Sequence, residues 1–200
     1  MKPDGPCFDA EWRLSCEVVR ADRRAVDAMI RTHYIGKWPG VCTLILALEH
    51  NRQRVGAIVF ALPPAETYKR YGGLTWELAR LWIADGVPKN AETFLIAKAV
   101  RYIQLNRPEV RFLISYADPS AGHAGTIYKA ANWLADGCTD DERKTPRFDY
   151  ACALTGKKYS RKGHVPPGTE LVRVARVSKH RFYYCLPERP ARRVRLELAA

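Results

Sequence analysis

The sequence predicts an α/β (α+β) fold, with a mixed central sheet, flanking helices and a basic C-terminal β extension. Short apolar runs rich in β-forming residues recur along the chain, bounded by polar turns. Between some of these runs, apolar residues spaced three and four apart predict helices. One apolar run, 110–114, leads through a polar loop into a helical pattern, as in the βα units of open sheets that bind ligands.

The N-terminal part of the chain predicts a strand, a short helix and a hairpin. Residues 12–19 alternate as a strand does, and Asp22 is placed to cap a helix that follows. Residues 41–48 and 55–62 are apolar runs on either side of a polar turn, which predicts a β-hairpin.

The middle of the chain predicts a polar, tyrosine-rich loop over residues 66–73 and a strand over 74–83. Glu77 and Arg80 lie inside that otherwise apolar strand. Charged groups there are costly unless they are paired or lie at a site. Either the two side chains pair with each other, or Arg80 faces a cleft.

The remaining elements complete the predicted sheet. Asn90 is a good N-cap for a helix, residues 110–114 form a strand, and a second helix starts near Gly122 and ends at Gly137. A further strand covers 148–154. The resulting order β, α, β, β, β, α, β, α, β is the layout of the GNAT acyltransferase fold.

Two loops carry more polar and aromatic side chains than a connector needs. The first, residues 32–40, contains a histidine, two aromatic residues and two glycines. The second follows the 110–114 strand and carries Ser115, Tyr116, Asp118, Ser120, His123, Tyr128 and Lys129. Structural roles are open for both loops: His33 or Asp118 as helix caps, and Trp38 as a core side chain.

The net charge of +12 is concentrated near the C-terminus. Residues 157–195 contain twelve Lys or Arg and two acidic residues, whereas the rest of the chain is nearly balanced. A localised basic surface is typical of a polyanion partner, and a solvated charged tail is the structural alternative. We therefore predict a catalytic core over residues 1–156 and, in the same domain, a basic segment over 157–200 that completes the sheet.

The chain has no apolar run long enough to span a membrane and no signal-peptide core, so we expect a cytoplasmic protein without membrane contact. The six cysteines form no CxxC pair, which favours reduced thiols over disulfides or a zinc site.

Several short motifs resemble the phage Mom DNA-modification proteins. They are His33-Tyr34 with Gly36, the ELARLW run of 77–82, the SYAD run of 115–118, Gly122-His123, the GTIY run of 125–128 and Asn132-Trp133. The resemblance covers residues 30 to 185 approximately. It implies a GNAT-fold enzyme that converts adenine in DNA to N6-carbamoylmethyladenine and thereby shields phage DNA in the host cytoplasm from restriction nucleases.

The family's functional positions correspond here to His33, Tyr34, Arg80, Asp118 and Tyr128. We expect Asp118 to accept or hold an N6 proton and Tyr128 to act as the acid toward the leaving group. His33 and Tyr34 would bind or polarise the donor carbonyl. Arg80 would neutralise donor charge or orient Asp118 through a bidentate contact.

The donor is not identified by the sequence. Donor contacts are expected from Ser115, Ser120, Gly122, His123 and Gly125. The GNAT pyrophosphate turn, Gln/Arg-x-x-Gly-x-Gly/Ala, is missing at residues 85–91, so an activated glycine-like carrier such as an aminoacyl-tRNA competes with acyl-coenzyme A. A metal such as iron has been considered for the family, but no HExxH or paired CxxC spacing is present, and we assign no metal ligands.

A double-stranded DNA substrate requires the adenine to leave the duplex, and Trp38, Tyr68 and Tyr71 are candidate stacking residues. Predicted phosphate contacts are Lys157, Lys158, Arg161, Lys162, Arg173, Arg176, Lys179, His180 and Arg181. Two other functions are open: an acetyltransferase acting on a protein or small amine, and a noncatalytic DNA-binding protein. A homodimer is compatible with the sequence.

Overall fold

The computed structural model describes residues 10–72, 74–159 and 164–187. In chain order the elements are α1 (Ala10–Ser15), β1 (Cys16–Arg20), α2 (Asp27–Thr32), β2 (Cys42–His50), β3 (Gln53–Ala61), α3 (Ala65–Tyr71), β4 (Leu74–Ile83), α4 (Ala91–Asn106), β5 (Val110–Ala117), α5 (Thr126–Ala130), β6 (Leu134–Cys138), β7 (Phe148–Cys152), β8 (Lys158–Tyr159), β9 (Leu171–Ala175) and β10 (His180–Cys185). Short 3-10 turns precede α2 and follow β5.

Seven strands form one mixed sheet in the order β1-β2-β3-β4-β5-β10-β6. The first four strands pair antiparallel in sequence order, β4 and β5 pair in parallel, and β10 lies antiparallel between β5 and β6. A separate three-stranded sheet has the order β8-β7-β9. The predicted class, a mixed central sheet with flanking helices, is confirmed.

Helices cover both faces of the large sheet because alternate strand residues point to opposite sides. Leu46 and Ile58 pack with the buried face of α4, whereas the intervening residues Ala47 and Val59 pack with Ile30 of α2. These two clusters hold the sheet that positions the site. No helix in the described parts of the chain is long and apolar enough to cross a membrane.

Several predicted boundaries were right and others were wrong. The β2–β3 hairpin and the bounds of β4 and α4 agree with the prediction. Residues 12–15 belong to α1 and not to a strand, because the β1–β2 pairing ends at Cys16 opposite His50. Residues 65–71 form the helix α3 where a loop was expected. There the Thr67 hydroxyl lies 3.2 Å from the Tyr116 hydroxyl, a tertiary contact that local sequence does not reveal.

The predicted helix after β5 was wrong in its extent. Gly122 and Gly125 both have φ of +77°, so α5 begins only at Thr126, and it ends at Ala130 before Asn132 with φ of +61°. Gly137 lies inside β6 and does not end a helix. The C-terminal β extension is divided between the two sheets, with β9 in the small sheet and β10 in the large one.

The strands β4 and β5 separate toward their carboxyl ends. Their parallel pairing runs from Leu74 opposite Val110 to Glu77 opposite Ile114 and goes no further. On the other edge of β4 the register with β3 shifts, so that Ala79 has no partner on β3. Such a bulge bends a strand and redirects its side chains. It opens a space between β4 and β5 at the end of the sheet where ligands commonly bind.

Gly125 is the position in this region where only glycine fits. Its φ is +77°, and a Cβ there would lie 2.2 Å from the Phe182 ring, which is only 2% exposed. We expect Gly125→Ala to lower the free energy of unfolding by about 2–4 kcal/mol, from overpacking and backbone strain together. Gly86→Ala is the matched control, because a Cβ at Gly86 meets nothing within 4 Å. Urea denaturation of both variants measures the difference, and equal stability would contradict the contact.

Candidate functional site

A cavity of about 240 Å³ lies where β4 and β5 part. Its walls come from four segments: residues 33–35 after α2, 77–81 of β4, 115–117 of β5 and 122–128 around the start of α5. Lys179, just before β10, completes the wall. The cavity therefore brings together the two loops that the sequence distinguishes.

Most of the predicted catalytic and donor-binding residues line this cavity. They are His33, Tyr34, Arg80, Ser115, Gly122, His123, Gly125 and Tyr128. Two others, Asp118 and Ser120, are not among its lining residues. Ser120 lies in the 3-10 turn after β5, and Asp118 is the N-cap of that turn. Asp118 accepts hydrogen bonds from Ser120 and pairs with Lys179 of the cavity wall.

Tyr128 and Ser115 form a buried pair of hydroxyl groups. Ser115 Oγ lies 2.8 Å from the Leu78 carbonyl oxygen and 2.7 Å from Tyr128 Oη. A carbonyl can only accept and a serine hydroxyl has one proton, so Ser115 donates to Leu78 and accepts from Tyr128. Burial raises the pKa of Tyr128 to about 12. Tyr128 therefore keeps its proton at neutral pH and is a proton donor in the cavity wall.

Asp118 is held in its ionised form by three donors. Its Oδ1 accepts from the Ser120 backbone N–H at 3.0 Å and from the Ser120 hydroxyl at 2.6 Å, and Lys179 Nζ lies 2.9 Å from its Oδ2. Burial alone would raise the pKa of Asp118, but the bonds from Ser120 and Lys179 outweigh burial and lower it. The ion pair is with Lys179 and not with Arg80. Asp118 thus orients the lysine ammonium at the cavity wall.

His33 presents a neutral imidazole to the cavity. Burial, followed by the charges of Arg80 and His123, lowers the pKa of His33 to about 4. Its Nδ1 accepts a hydrogen bond from the Ile35 backbone N–H at 3.2 Å. A neutral ring that accepts at Nδ1 carries its proton on Nε2. His33 can therefore donate a hydrogen bond through Nε2.

Arg80 is fixed by backbone carbonyls. Its Nε donates to the Lys37 carbonyl oxygen at 2.8 Å, and its Nη1 donates to the Ala79 carbonyl oxygen. In the described chain no carboxylate lies within ion-pair distance of its guanidinium. Arg80 is therefore a preorientated cation in the cavity wall, available to a negatively charged or carbonyl group of a ligand.

Glu77 is a cavity residue that the predicted site omitted. Burial raises the pKa of Glu77, against the opposing charges of Arg80 and Lys179. Within the described residues its carboxylate has no hydrogen-bond or ion-pair partner. The sequence contained a signal, because a carboxylate in an apolar strand indicates a pair or a site, and here it lies at the site.

The candidate stacking residues lie elsewhere. Trp38 Nε1 donates to Asp27 Oδ1 at 2.7 Å and its ring packs on the smaller core cluster, while the Tyr71 hydroxyl donates to Asp136. Neither these two nor Tyr68 lines the cavity. The exposed ring at the cavity is Tyr34, which is 48% exposed and lies 4.9 Å from the His123 ring between centroids.

All seven of the predicted phosphate contacts that the structure describes already have protein partners. Lys158 and Arg176 pair with Asp149, Lys179 with Asp118 and Arg181 with Asp136; Lys157 lies over Tyr159, Arg173 over Phe148, and His180 beside Cys138. Arg161 and Lys162 lie outside the described residues. The described basic side chains are thus positioned by neighbours and do not form a uniform free strip.

The described side chains contain no grouping that fits a metal ion. Across the described ranges, no three His, Cys, Asp or Glu side chains are grouped to hold an ion.

Residues 85–91 stand where the GNAT pyrophosphate turn would be. Val87 is buried in the core, Pro88 has no backbone N–H, and Asn90, with φ of +74°, precedes α4. The five described cysteines are free thiols.

Solved structures share this architecture. The chain is similar to the ribosomal-protein-S18-alanine N-acetyltransferase of Escherichia coli (TM-score 0.53, 10% identity, 88% of this chain and 97% of that one). It is also similar to the IAA acetyltransferase of Bacillus cereus (TM-score 0.52, 12% identity, 86% of this chain and 100% of that one). A Bacillus subtilis acetyltransferase in complex with CoA is similar to the same degree (TM-score 0.52, 10% identity, 86% of this chain and 98% of that one). The mixed sheet, its flanking helices and the separation of β4 from β5 thus define a protein of the GNAT acyltransferase fold.

The sequence comparisons are more specific than the fold. Residues 16–199 match the model of the Mom protein family, and the chain belongs to that family. A segment of 57 residues is 40% identical to the methylcarbamoylase Mom of Escherichia phage Mu. That segment spans 28% of this chain and 24% of the phage Mu protein.

Proposed function

We propose that this chain is a DNA-modification enzyme that transfers a carbamoylmethyl group to N6 of adenine in DNA and so protects phage DNA from restriction. The observation that carries the proposal is the convergence of His33, Tyr34, Arg80 and Tyr128 on one cavity in a member of the Mom family. The phage Mu relative, named a methylcarbamoylase, supports the group that is transferred.

The adenine would enter the cavity after it flips out of the duplex, which costs a few kcal/mol. Stacking on the exposed Tyr34 ring would offset part of that cost. The basic segment after residue 157 would hold neighbouring phosphates, including through Lys179 at the cavity wall. With these contacts, N6 would lie between β4 and β5.

The reaction needs a proton acceptor because the N6 lone pair is delocalised into the adenine ring. Two carboxylates are close to the cavity, Glu77 in its wall and Asp118 behind Lys179. We assign acceptance of the N6 proton to Glu77, since its pKa is raised by burial and it has no other partner in the described chain. Asp118, the residue that the sequence favoured, has a lowered pKa and would position Lys179.

The bonds change in two stages, because the donor is joined to its carrier through its carbonyl carbon. N6 attacks that carbonyl carbon, the bond from it to the carrier oxygen or sulfur breaks, and the N6 proton passes to Glu77, which leaves an N6-glycyl group. The glycyl amine then attacks C6 of adenine, the C6–N6 bond breaks, and one amine proton moves to the departing nitrogen, so that the same atoms form the isomeric N6-carbamoylmethyl group. Tyr128 supplies the proton that the leaving group takes, and the Ser115 hydroxyl beside it can then donate to the phenolate. His33 Nε2–H and the Arg80 guanidinium would bind the donor carbonyl.

The donor is an activated glycine-like compound, carried by an aminoacyl-tRNA or by coenzyme A. Ser115, Gly122, His123 and Gly125 line the part of the cavity that would receive it. Gly125 permits the close approach of its loop to the Phe182 ring and so shapes that wall. The GNAT turn that binds the pyrophosphate of coenzyme A is missing at residues 85–91, which favours tRNA over coenzyme A as the carrier.

Restriction protection tests the proposed function. DNA from cells that express the chain should resist nucleases whose recognition sites contain adenine, whereas DNA from cells that express Tyr128→Phe at the same level should be cut. Nucleases with sites of only G and C serve as an internal control and should cut both DNAs. Equal cutting of both DNAs at adenine-containing sites would contradict the proposal.

The GNAT-fold neighbours support a second candidate, acetyl transfer to a protein or small amine. This alternative requires saturable binding of acetyl-coenzyme A. Calorimetric titration distinguishes the two: acetyl-coenzyme A that binds in the micromolar range and is consumed with a polyamine would favour acetyl transfer, and absence of binding would favour the DNA reaction.

A further inference from the structure

A second concave surface of about 530 Å³ lies on the small sheet β8-β7-β9. We call it the small-sheet groove. Its walls include Arg143 and Arg147 of the β6–β7 loop, Phe148 and Tyr150 of β7, Arg173 of β9, and Arg176 just after it. Its volume lies in the range that proteins use to bind small molecules, roughly 300–1,000 Å³, and is larger than a single phosphate requires.

The small-sheet groove is strongly positive. Its arginines and the adjacent Lys158 face two carboxylates. Asp140 lies 3.4 Å from both Arg143 and Arg147, and Asp149 pairs with Arg176 and Lys158. Asp140 Oδ1, although near two guanidinium groups, accepts no hydrogen bond in the described chain. Arg143 and Arg147 approach Asp140 through Nε, and no hydrogen bond or ion pair in the described chain uses their terminal Nη groups, which can therefore bind an anionic ligand.

The small-sheet groove also offers flat rings. Arg173 lies over the Phe148 ring at 4.1 Å from its centroid, and Lys157 lies over Tyr159 at 5.4 Å. Tyr150 is 38% exposed and lines the same space. Guanidinium groups bind phosphate, and aromatic and guanidinium planes stack on base faces. Together they match a nucleotide whose base is not paired, because a duplex hides its base faces.

The small-sheet groove is next to the first cavity along the chain. Arg176 lines the groove and Lys179 lines the cavity, and the two are separated by three residue steps. Their Cα atoms are therefore at most about 11 Å apart. A DNA strand that delivers a base to the cavity would pass the small-sheet groove with its adjoining nucleotides.

We propose that the small-sheet groove binds an unpaired nucleotide of the DNA strand that carries the target adenine. Arg147 and Arg173 contact its phosphates, and Tyr150 stacks on its base. The inference rests on the proposed function for the identity of the strand, but the groove itself is argued from its own charge, rings and position. It predicts that the enzyme prefers single-stranded or locally opened DNA to intact duplex.

Equilibrium binding to an all-thymine oligonucleotide tests the groove, because this strand offers no adenine to the cavity. We expect the double variant Arg147→Ala/Arg173→Ala to bind at least about 10-fold more weakly, with the slope of log affinity against log salt reduced by about 1.4. Tyr150→Ser should bind about 10-fold more weakly and Tyr150→Phe like the wild type. The matched control Arg20→Ala/Arg101→Ala removes the same charge from exposed positions outside the groove and should retain affinity.

Two results would overturn the inference. One is equal affinity of the groove double variant and the control double variant. The other is wild-type affinity of Tyr150→Ser while thermal unfolding shows both proteins folded. A failure of the proposed function has a different signature, because oligonucleotide binding would then persist in the wild type while no adenine adduct forms. If the groove variants bound DNA normally and still formed the adduct, only the proposed role of the small-sheet groove would be wrong.

Discussion

Tyr128→Phe is expected to lower the rate of adenine modification at least about 100-fold while the protein stays folded. The change removes the proton that we assign to the leaving group and keeps the ring that packs on Trp133 and Phe182. Ser115 still donates to the Leu78 carbonyl, so the change leaves no buried donor without a partner. Adduct per deoxyadenosine after a fixed expression time measures the rate, and thermal unfolding checks the fold.

Tyr102→Phe is the matched control for that variant. Tyr102 lies on α4, outside the cavity lining, and loses the same hydroxyl group. Its modification rate should equal that of the wild type. If Tyr128→Phe were as active as Tyr102→Phe, the phenol would have no part in the reaction, and the proton would have to come from another group.

Glu77→Gln should be the second variant with a large effect, at least about 100-fold on the modification rate. The amide is the same size but cannot accept the N6 proton. Because burial raises the pKa of Glu77, the wild-type rate should increase with pH through that raised pKa, as the carboxylate forms. A rate measured at several pH values on a supplied oligonucleotide should show this increase in the wild type.

Asp118→Asn distinguishes the two carboxylates. It removes the charge that holds Lys179. We therefore expect it to weaken DNA binding more than it slows the modification reaction within the bound complex. The lowered pKa of Asp118 also stabilises the fold above the pKa of the unfolded carboxyl, and that contribution is lost as pH falls through the folded pKa. Full activity of Glu77→Gln together with an inactive but DNA-binding Asp118→Asn would return the role of base to Asp118.

The sequence predicted the parts of the fold that local pattern determines. The long apolar runs of β2 to β5 and the periodic face of α4 can be recognised without tertiary information, because burial on one or both faces leaves a period in the sequence. α3 was missed because its polar sequence has no apolar period and it is held by tertiary contacts such as Thr67 with Tyr116.

The lining of the candidate cavity could be predicted where its residues are neighbours in sequence. The 115–128 unit and the His33-Tyr34 pair could be recognised as short motifs. His33, Tyr34 and the residues 115–117 and 122–128 line the cavity. The position of Lys179 in the cavity wall depends on β10 entering the sheet beside β5, which no local pattern encodes. The parting of β4 from β5, which exposes Glu77, likewise depends on register.

The side-chain partners were the least accessible feature. Asp118 pairs with a lysine that lies far along the chain, and Asp149 holds two of the basic residues that the charge pattern assigned to DNA. The small-sheet groove combines the basic segment with a loop that precedes β7. Charge counts give the sign of such a surface, and only the pairing of strands gives its shape.

The most direct test of the central claim is the chemical identity of deoxyadenosine in cells that express the chain. Total DNA is digested to nucleosides and compared by mass spectrometry and chromatography with synthetic N6-carbamoylmethyl-deoxyadenosine, with Tyr128→Phe as control. We expect a species that matches the standard in mass and retention in the wild-type sample and is absent from the control. The phage Mu relative, expressed in the same host, serves as the positive control. If it forms the adduct while cells with abundant folded protein from this chain contain only unmodified deoxyadenosine, the claim is contradicted.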